Sequence, residues 1–293
     1  MSQESEPWTI GRLLTWTTDY LARHGSGSPR LDAEVLLAQA LQCQRIDLYA
    51  RYDQEPAEQP RSTFRELVKR RAAGTPVAYL VGHREFYSID FEVTPDVLIP
   101  RPETEHLVVE AIDRLKTLAP RRPAPCHVAD IGTGSGCIAI ALAKYVPQVR
   151  VTAVDVSDKA LEVARRNVLR HDLQARVELV HSDLFTGLPA NRQFDIIVSN
   201  PPYVSAAEYE QLDRSVREFE PRLALLADHD GWGVIERLLD TASEYLAPDG
   251  FLLVEASPML LARADHRIGA PWAIEKITDD LAGLPRVLTL RLE

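Results

Sequence analysis

The sequence predicts an α/β fold built on a mostly parallel sheet, with a small N-terminal helical domain and a β-hairpin linker before it. Three observations predict it. Up to about Gly74, apolar residues recur at helical spacing and no strand-like alternation is present. Between Thr75 and Pro100 the period changes to β-rich runs. From Val128 onward, short apolar runs alternate with helical stretches of about 10–15 residues, as βαβ units require. The 293 residues allow one large domain or two smaller ones, and 45% apolar residues suffice for a buried core.

In the first stretch, Ile10, Leu13, Leu14, Trp16 and Leu21 form a helical stripe over Ile10 to His24. Gly25-Ser-Gly-Ser-Pro29 breaks it, Leu31 to Leu41 resumes the pattern, and Phe64 to Ala73 reads as a further helix that ends at Gly74. Residues 1–74 are therefore expected to form a helical domain. Val77 to Val81 and Phe86 to Val93, on either side of Gly82-His-Arg, read as a hairpin linking two domains over residues 75–98. Residues 99–293 form the remaining domain. It opens with Ile99-Pro-Arg-Pro-Glu-Thr-Glu105, a helix from Glu105 to Leu115 and a Pro/Arg-rich spacer over residues 120–125. Strands are expected at Val128–Ile131, Arg150–Val154, Val177–Val180, Phe194–Val198 and Phe251–Val254, and helices at Cys137–Tyr145, Lys159–His171 and Trp232–Leu246. Trp272–Ile277 and Arg286–Leu292 complete the sheet.

Composition excludes several classes. The apolar runs fall far short of the roughly 20 residues of a membrane helix. The opening residues, Met1 to Pro7, are acidic and polar, so no secretory segment is expected there. Cys43, Cys126 and Cys137 are odd in number and widely spread, which fits a reduced cytoplasmic protein without disulfides. No His/Cys/carboxylate spacing suggests a metal site. The net charge of −10 argues against direct nucleic-acid binding, which rests on Lys and Arg.

The first parallel strand ends in Asp130-Ile-Gly-Thr-Gly-Ser-Gly136 before an apolar helix. Gly132, Gly134 and Gly136 permit a tight turn and close approach of a ligand, and the helix amides beyond can face a polar group. The spacing is G-x-G-x-G, not the G-x-G-x-x-G of dinucleotide sites, and suits a nucleoside cofactor without pyrophosphate; a packed strand-to-helix turn is the plainer alternative. The next strand ends at Asp155, where a carboxylate can accept from both ribose hydroxyls or, alternatively, cap the following helix. The third ends at Ser182-Asp-Leu-Phe185: Asp183 can accept from a base amine and Leu184 or Phe185 can cover the ring, unless this is only a turn. The fourth runs into Ser199-Asn-Pro-Pro-Tyr203. Pro201 and Pro202 lack N–H groups and fix φ, holding the Asn200 and Pro201 carbonyls in place. Asn200 adds a side-chain acceptor and Tyr203 a flat wall. Two acceptors and a wall suit a planar –NH2 group. The alternative is a rigid strand exit with Tyr203 in the core.

These segments together resemble class I S-adenosylmethionine-dependent methyltransferases that modify amide or exocyclic nitrogens. Pro76 to Phe86, Leu98 to Glu105, Asp130 to Gly136 and Val198 to Val204 are similar to the HemK/PrmC family, glutamine-N5 methyltransferases of peptide chain release factors. The resemblance spans nearly the whole chain. It implies a Rossmann-like methyltransferase domain with an N-terminal domain for substrate recognition. It implies S-adenosylmethionine as methyl donor, S-adenosylhomocysteine as product, no metal, and a protein target: the glutamine of the Gly-Gly-Gln motif in class-1 release factors, whose methylation modulates translation termination. A cytoplasmic monomer is expected. Asn200, Pro201, Pro202 and Tyr203 would hold the target amide. Gly132, Thr133, Gly134, Ser135, Gly136, Asp155, Asp183, Leu184 and Asn200 would meet the cofactor, with Arg101 and Glu105 either closing over it or capping the helix start. Related enzymes that methylate a ribosomal-protein glutamine, and DNA adenine N6-methyltransferases, are the rival readings. Three departures stand out: Glu255-Ala-Ser-Pro-Met259 and Thr278 to Gly283 differ from the family's usual segments, and Leu184 stands where some relatives carry Trp.

Overall fold

The computed structural model describes residues 7–122 and 124–293. The acidic opening, residues 1–6, and Pro123 of the spacer lie outside the described residues. The chain divides into two compact units: one runs through Gly82 and includes Asp213–Phe219, and the other comprises His83–Leu212 and Glu220–Glu293.

The first unit is helical, with α1 (Ile10–Arg23), α2 (Pro29–Leu41), α3 (Arg45–Ala50), α4 (Glu58–Ala72) and α5 (Val77–Val81). The Thr9 hydroxyl caps α1 by accepting from the Arg12 amide, and Pro29 occupies the first turn of α2, where its missing N–H costs nothing. Leu14, Leu21, Leu36, Leu37, Leu48 and Phe64 form the core. Val77–Val81 is a helix, not the strand its β-branched residues suggest. Pro76 starts it, with its carbonyl accepting from Tyr79 and Leu80, and Gly82 ends it at φ +80°. Burial of Leu80 with Val77 and Val81 against this core overrides β propensity.

The hairpin begins at His83, with β1 (His83–Phe86) and β2 (Ile89–Glu92) antiparallel about Tyr87 and Ser88, both at positive φ. It is not a free linker: Phe86, Ile89 and Phe91 are fully buried in the second unit's core. A seven-stranded sheet follows, with β3 (Cys126–Ile131), β4 (Val149–Asp155), β5 (Val177–His181), β6 (Phe194–Ser199), β7 (Leu246–Glu255), β8 (Trp272–Asp279) and β9 (Pro285–Leu292). Its order is β5-β4-β3-β6-β7-β9-β8. The strands from β5 to β7 are parallel; β9 runs antiparallel to both β7 and β8. On one face α6 (Glu105–Leu118), α7 (Cys137–Tyr145) and α8 (Asp158–Arg170) share a core with the hairpin. On the other face, the helix Gly233–Tyr245 packs Ile235 and Leu238 beside Trp232. The order of winding reverses at the parallel pair β3 and β6, from β3 outward to β5 and then back to β6 on the other side of β3, which opens a crevice at the carboxyl ends of those two strands.

Asn167 on α8 ties the hairpin to the glycine loop. Fully buried, it accepts from the Glu92 amide at 2.7 Å and donates to the carbonyls of Glu92 and Ser135 at 3.0 and 2.9 Å. Asn167→Ala strands these groups without water. Since an unsatisfied buried group costs about 1–3 kcal/mol, urea unfolding is expected to show a loss of at least about 2 kcal/mol. A loss below about 0.5 kcal/mol would mean the tie is not needed.

Candidate active site at the carboxyl ends of the parallel strands

The crevice is a cleft of about 330 Å³. Its contents follow from strand register. Ile131 pairs with Ser199, so the residues that leave β3 and β6, Gly132 and Asn200, emerge side by side. Asp155 pairs with His181, which sets Ser182, Asp183 and Leu184 next to Asp155. Across the sheet edge the cleft therefore meets Asp183 and Leu184, then Asp155, then the glycine loop, then Asn200, Pro201 and Pro202.

The glycine loop is held from below. The amides of Gly132 and Thr133 donate to the Val154 carbonyl, and Gly132, Gly134 and Gly136 all have positive φ. Gly136 caps α7 in the left-handed region and packs against Ile140 and Ala164, so its part is conformational; it is absent from the described lining, while Gly132, Thr133, Gly134 and Ser135 are present. Beneath the loop, Asp130 is fully buried. Its Oδ2 accepts from the Thr133 hydroxyl at 2.7 Å and the Ala139 amide at 3.1 Å, while Oδ1 has no partner. Burial pushes its carboxyl up to about 7, against the pull of those two bonds. Asp155 accepts from the amides of Gly134 and Ser157 at 2.9 Å each; burial raises its carboxyl above the usual range, and these amides oppose the shift.

Asp183 lines the cleft and pairs with Arg237 at 2.7 Å, both about half exposed. Leu184 also lines it, from the left-handed region at φ +51°. Phe185 does not: it is buried and stacks on Tyr245. Arg101 lines the cleft and pairs with buried Glu220, whose other oxygen accepts from the Ile99 amide, so this pair pins the Ile99–Glu105 segment. Glu105 is absent from the described lining; its Oε1 accepts from the Tyr87 amide at the hairpin turn. The Glu105 carboxylate thus meets the hairpin turn at 2.9 Å.

Asn200, Pro201 and Pro202 line the cleft. Tyr203 is absent from the described lining; its ring packs against the second core and its hydroxyl lies 3.5 Å from Glu255 Oε1. Burial raises that hydroxyl's pKa, so it stays protonated. The flat face expected of Tyr203 is thus turned into the core behind Asn200 to Pro202. Gly231, at φ +93°, passes so close that a Cβ would meet the Tyr203 carbonyl at 2.4 Å. Asn200 Nδ2 donates to the Thr104 hydroxyl at 3.1 Å. Glu255, at the end of β7, is buried and pushed up to about 7 by desolvation, and its Oε2 has no partner.

Sequence reasoning missed Asp130, Thr104, Glu255, and the wall formed by Pro221, Leu223 and Leu226. Asp130 and Glu255 carried a usable signal, since both are acidic residues at the cleft ends of strands. The wall carried none, being irregular. Among the described residues, no helix is long and apolar enough to cross a membrane.

Comparison with known proteins agrees with this geometry. A model described as "PrmC N-terminal domain" matches residues 12–82, and one described as "Methyltransferase small domain" matches residues 114–219. The chain is similar to a release factor glutamine methyltransferase of Rhodopirellula baltica, 52% identical over 97% of each chain. It is also similar to one of Koribacter versatilis, 44% identical over 97% of this chain and 98% of the relative. Among solved structures, the hMettl16 catalytic domain in complex with MAT2A 3'UTR hairpin 1 has a TM-score of 0.53 at 14% identity, covering 94% of this chain and 93% of that one, a likeness of fold.

The buried carboxyl of Asp130 gives a pH signature. Its folded value of about 7 lies above the ordinary 3.8, so its contribution to stability is complete below about pH 4 and is lost as pH rises toward 7. Asp130→Asn keeps an acceptor for Thr133 and Ala139 and has no charge to bury. Its unfolding free energy is expected to exceed the wild type's at pH 8 by more than about 1 kcal/mol, the worth of one pKa unit, with the gap narrowing at pH 5. A gap independent of pH would show that the carboxyl ionises freely in the fold.

Proposed function

The chain belongs to the S-adenosylmethionine-dependent release factor glutamine methyltransferases, and from that premise we propose that it transfers a methyl group to the side-chain nitrogen of the glutamine in the Gly-Gly-Gln motif of class-1 release factors. The observation that carries this reading is the juxtaposition of an acceptor-rich, donor-poor strand exit, Asn200 to Pro202, with a glycine loop whose neighbouring strand end is acidic.

The residues present fit the cofactor. Asp155, with an oxygen accepting each amide, keeps free lone pairs for ribose hydroxyls. Leu184 offers an apolar face to a base, and Asp183 an acceptor at its edge. The unpartnered Oδ1 of Asp130 adds an unsatisfied acceptor beneath the loop. S-adenosylmethionine, when bound, supplies an electrophilic methyl group on a sulfonium. The chain's own task is then orientation. An amide nitrogen is a poor nucleophile because its lone pair is delocalised into the carbonyl. The Asn200 side-chain oxygen and the Pro201 carbonyl accept its two hydrogens and turn the nitrogen toward the cofactor. The prolines hold both acceptors without supplying a competing N–H. No strong base is needed first, because the nitrogen becomes acidic only as the new bond forms. Orientation of this kind is worth about 7–11 kcal/mol in favourable systems.

The helical unit is assigned to recognition of the release factor: the described residues that line the cleft all lie in the second unit. A net charge of −10 favours a protein substrate over nucleic acid.

Mass spectrometry of a class-1 release factor incubated with the enzyme and S-adenosylmethionine tests this reading. One added methyl is expected, on the Gly-Gly-Gln glutamine. An unmodified factor, or a methyl on another residue, would overturn it.

A further inference from the structure

The span Asn200–Tyr203 has few backbone donors of its own. Pro201 and Pro202 carry no N–H, so the span is placed by what holds its two ends. At its start, the Ser199 hydroxyl donates to the Ile131 carbonyl at 2.8 Å. Just past its end, the Val204 amide donates to the Leu225 carbonyl, and the Ala227 amide donates to the Val204 carbonyl, each at 2.9 Å. Between these anchors the turn Asp228–Gly231 meets the span. A Cβ on Gly231 would lie 2.4 Å from the Tyr203 carbonyl oxygen and 3.3 Å from its carbon, closer than any side chain can stand.

That turn is strained and firmly held. His229, Asp230 and Gly231 stand in succession in the left-handed region, at φ +53°, +55° and +93°. Only glycine takes this conformation without a Cβ penalty, so the two residues before it carry a conformational cost. The turn has little freedom to relax. The Asp228 carbonyl accepts from the amides of Gly231 and Gly233 at 3.1 and 2.9 Å, and the His229 ring lies 2.8 Å from Glu236. Trp232, next in the chain, is fully buried in the second core. Strain of this kind persists where the surroundings over-determine it, and it clusters at functional sites. We propose that Gly231 is a positioning residue for the methyl transfer: without a side chain it lets the turn seat against the Tyr203 carbonyl as a fixed stop, which sets how far Asn200 and Pro201 reach into the cleft. The inference rests on the function proposed above and adds to it a residue that is absent from the described lining of the cleft.

Gly231→Ala adds one carbon and drives the stop against Tyr203. We expect kcat for release factor methylation to fall at least about tenfold, since a misplaced reacting group costs rate rather than binding. The cofactor KM should stay within about twofold, because the glycine loop and Asp155 leave other strands than the span does. Gly250→Ala is the control for lost stability alone. Its Cβ would also meet backbone, 2.8 Å from the Ala247 carbonyl oxygen and 2.9 Å from that of Asp195, but near the start of β6, at the end of the strand away from the cleft. Its kcat should stay within about twofold of wild type even where Tm falls. A Gly231→Ala enzyme with kcat within about threefold of wild type, or an equal loss of kcat in the two alanine variants, would overturn the proposal. If either variant does not fold, Leu260→Ala decides. Leu260 packs on the same glycine, its Cδ1 3.3 Å from the place of a Cβ, so its loss lets the turn draw back from Tyr203. Its kcat should fall at least about threefold at unchanged cofactor KM, and an unchanged kcat overturns the proposal. Failure of the functional reading looks different, because the wild type itself then leaves the glutamine unmodified. In that event amide hydrogen exchange reports the contact without turnover. Faster exchange at Val204 and Ala227 in Gly231→Ala, or in Leu260→Ala where that variant does not fold, with Gly132 and Thr133 unchanged, supports the stop, and equal exchange at Val204 overturns it.

Discussion

The parallel register of β3 with β6 is the constraint on which the rest of this enzyme depends. Because Ile131 lies opposite Ser199, the glycine loop and the Asn-Pro-Pro segment leave the sheet as neighbours, and the Ser199 hydroxyl locks the pair by donating to the Ile131 carbonyl at 2.8 Å. A slip of one residue would turn every buried side chain of a strand to the other face, so the two packed cores enforce the register strongly. The glycine loop and the Asn-Pro-Pro segment are thus brought together by backbone pairing alone.

Around that edge the protein buries carboxylates it could have left in water. Asp130 and Glu255 each sit under one half of the cleft, each with one oxygen unpartnered and each pushed up to about 7 by desolvation. Such groups cost stability and are hard to explain as packing. Asp130 holds the loop above it through the Thr133 hydroxyl and the Ala139 amide, and Glu255 faces the Tyr203 hydroxyl at 3.5 Å. The surface pair Asp183–Arg237 is different in kind, since a half-exposed ion pair contributes about 0–1 kcal/mol at most.

Much of this was legible in the sequence. The parallel strands were, because strands buried on both faces are written as short apolar runs, and Cys137–Tyr145 was read with the bounds the structure has. The glycine loop, Asp155 and Asn200 to Pro202 were legible because each falls at a strand end on one edge. Val77–Val81 was misread because a five-residue apolar run carries no usable period, and tertiary burial decided it. Glu105, read as a cofactor contact or a helix cap, and Tyr203, read as a flat wall or a core residue, turn their side chains to Tyr87 and Glu255, which no local pattern specifies. The bond from Asn200 to Thr104 joins two segments far apart in sequence, and no local pattern reports it.

The central claim, that Asn200 orients the target nitrogen and does not merely bind it, is tested most directly by single-turnover methylation with Asn200→Ala at saturating cofactor. The prolines and the glycine loop are untouched, so the cleft persists. The account expects kcat and kcat/KM to fall together by at least about a hundredfold, the cost of lost alignment. A variant that keeps near wild-type kcat while only KM rises would contradict it.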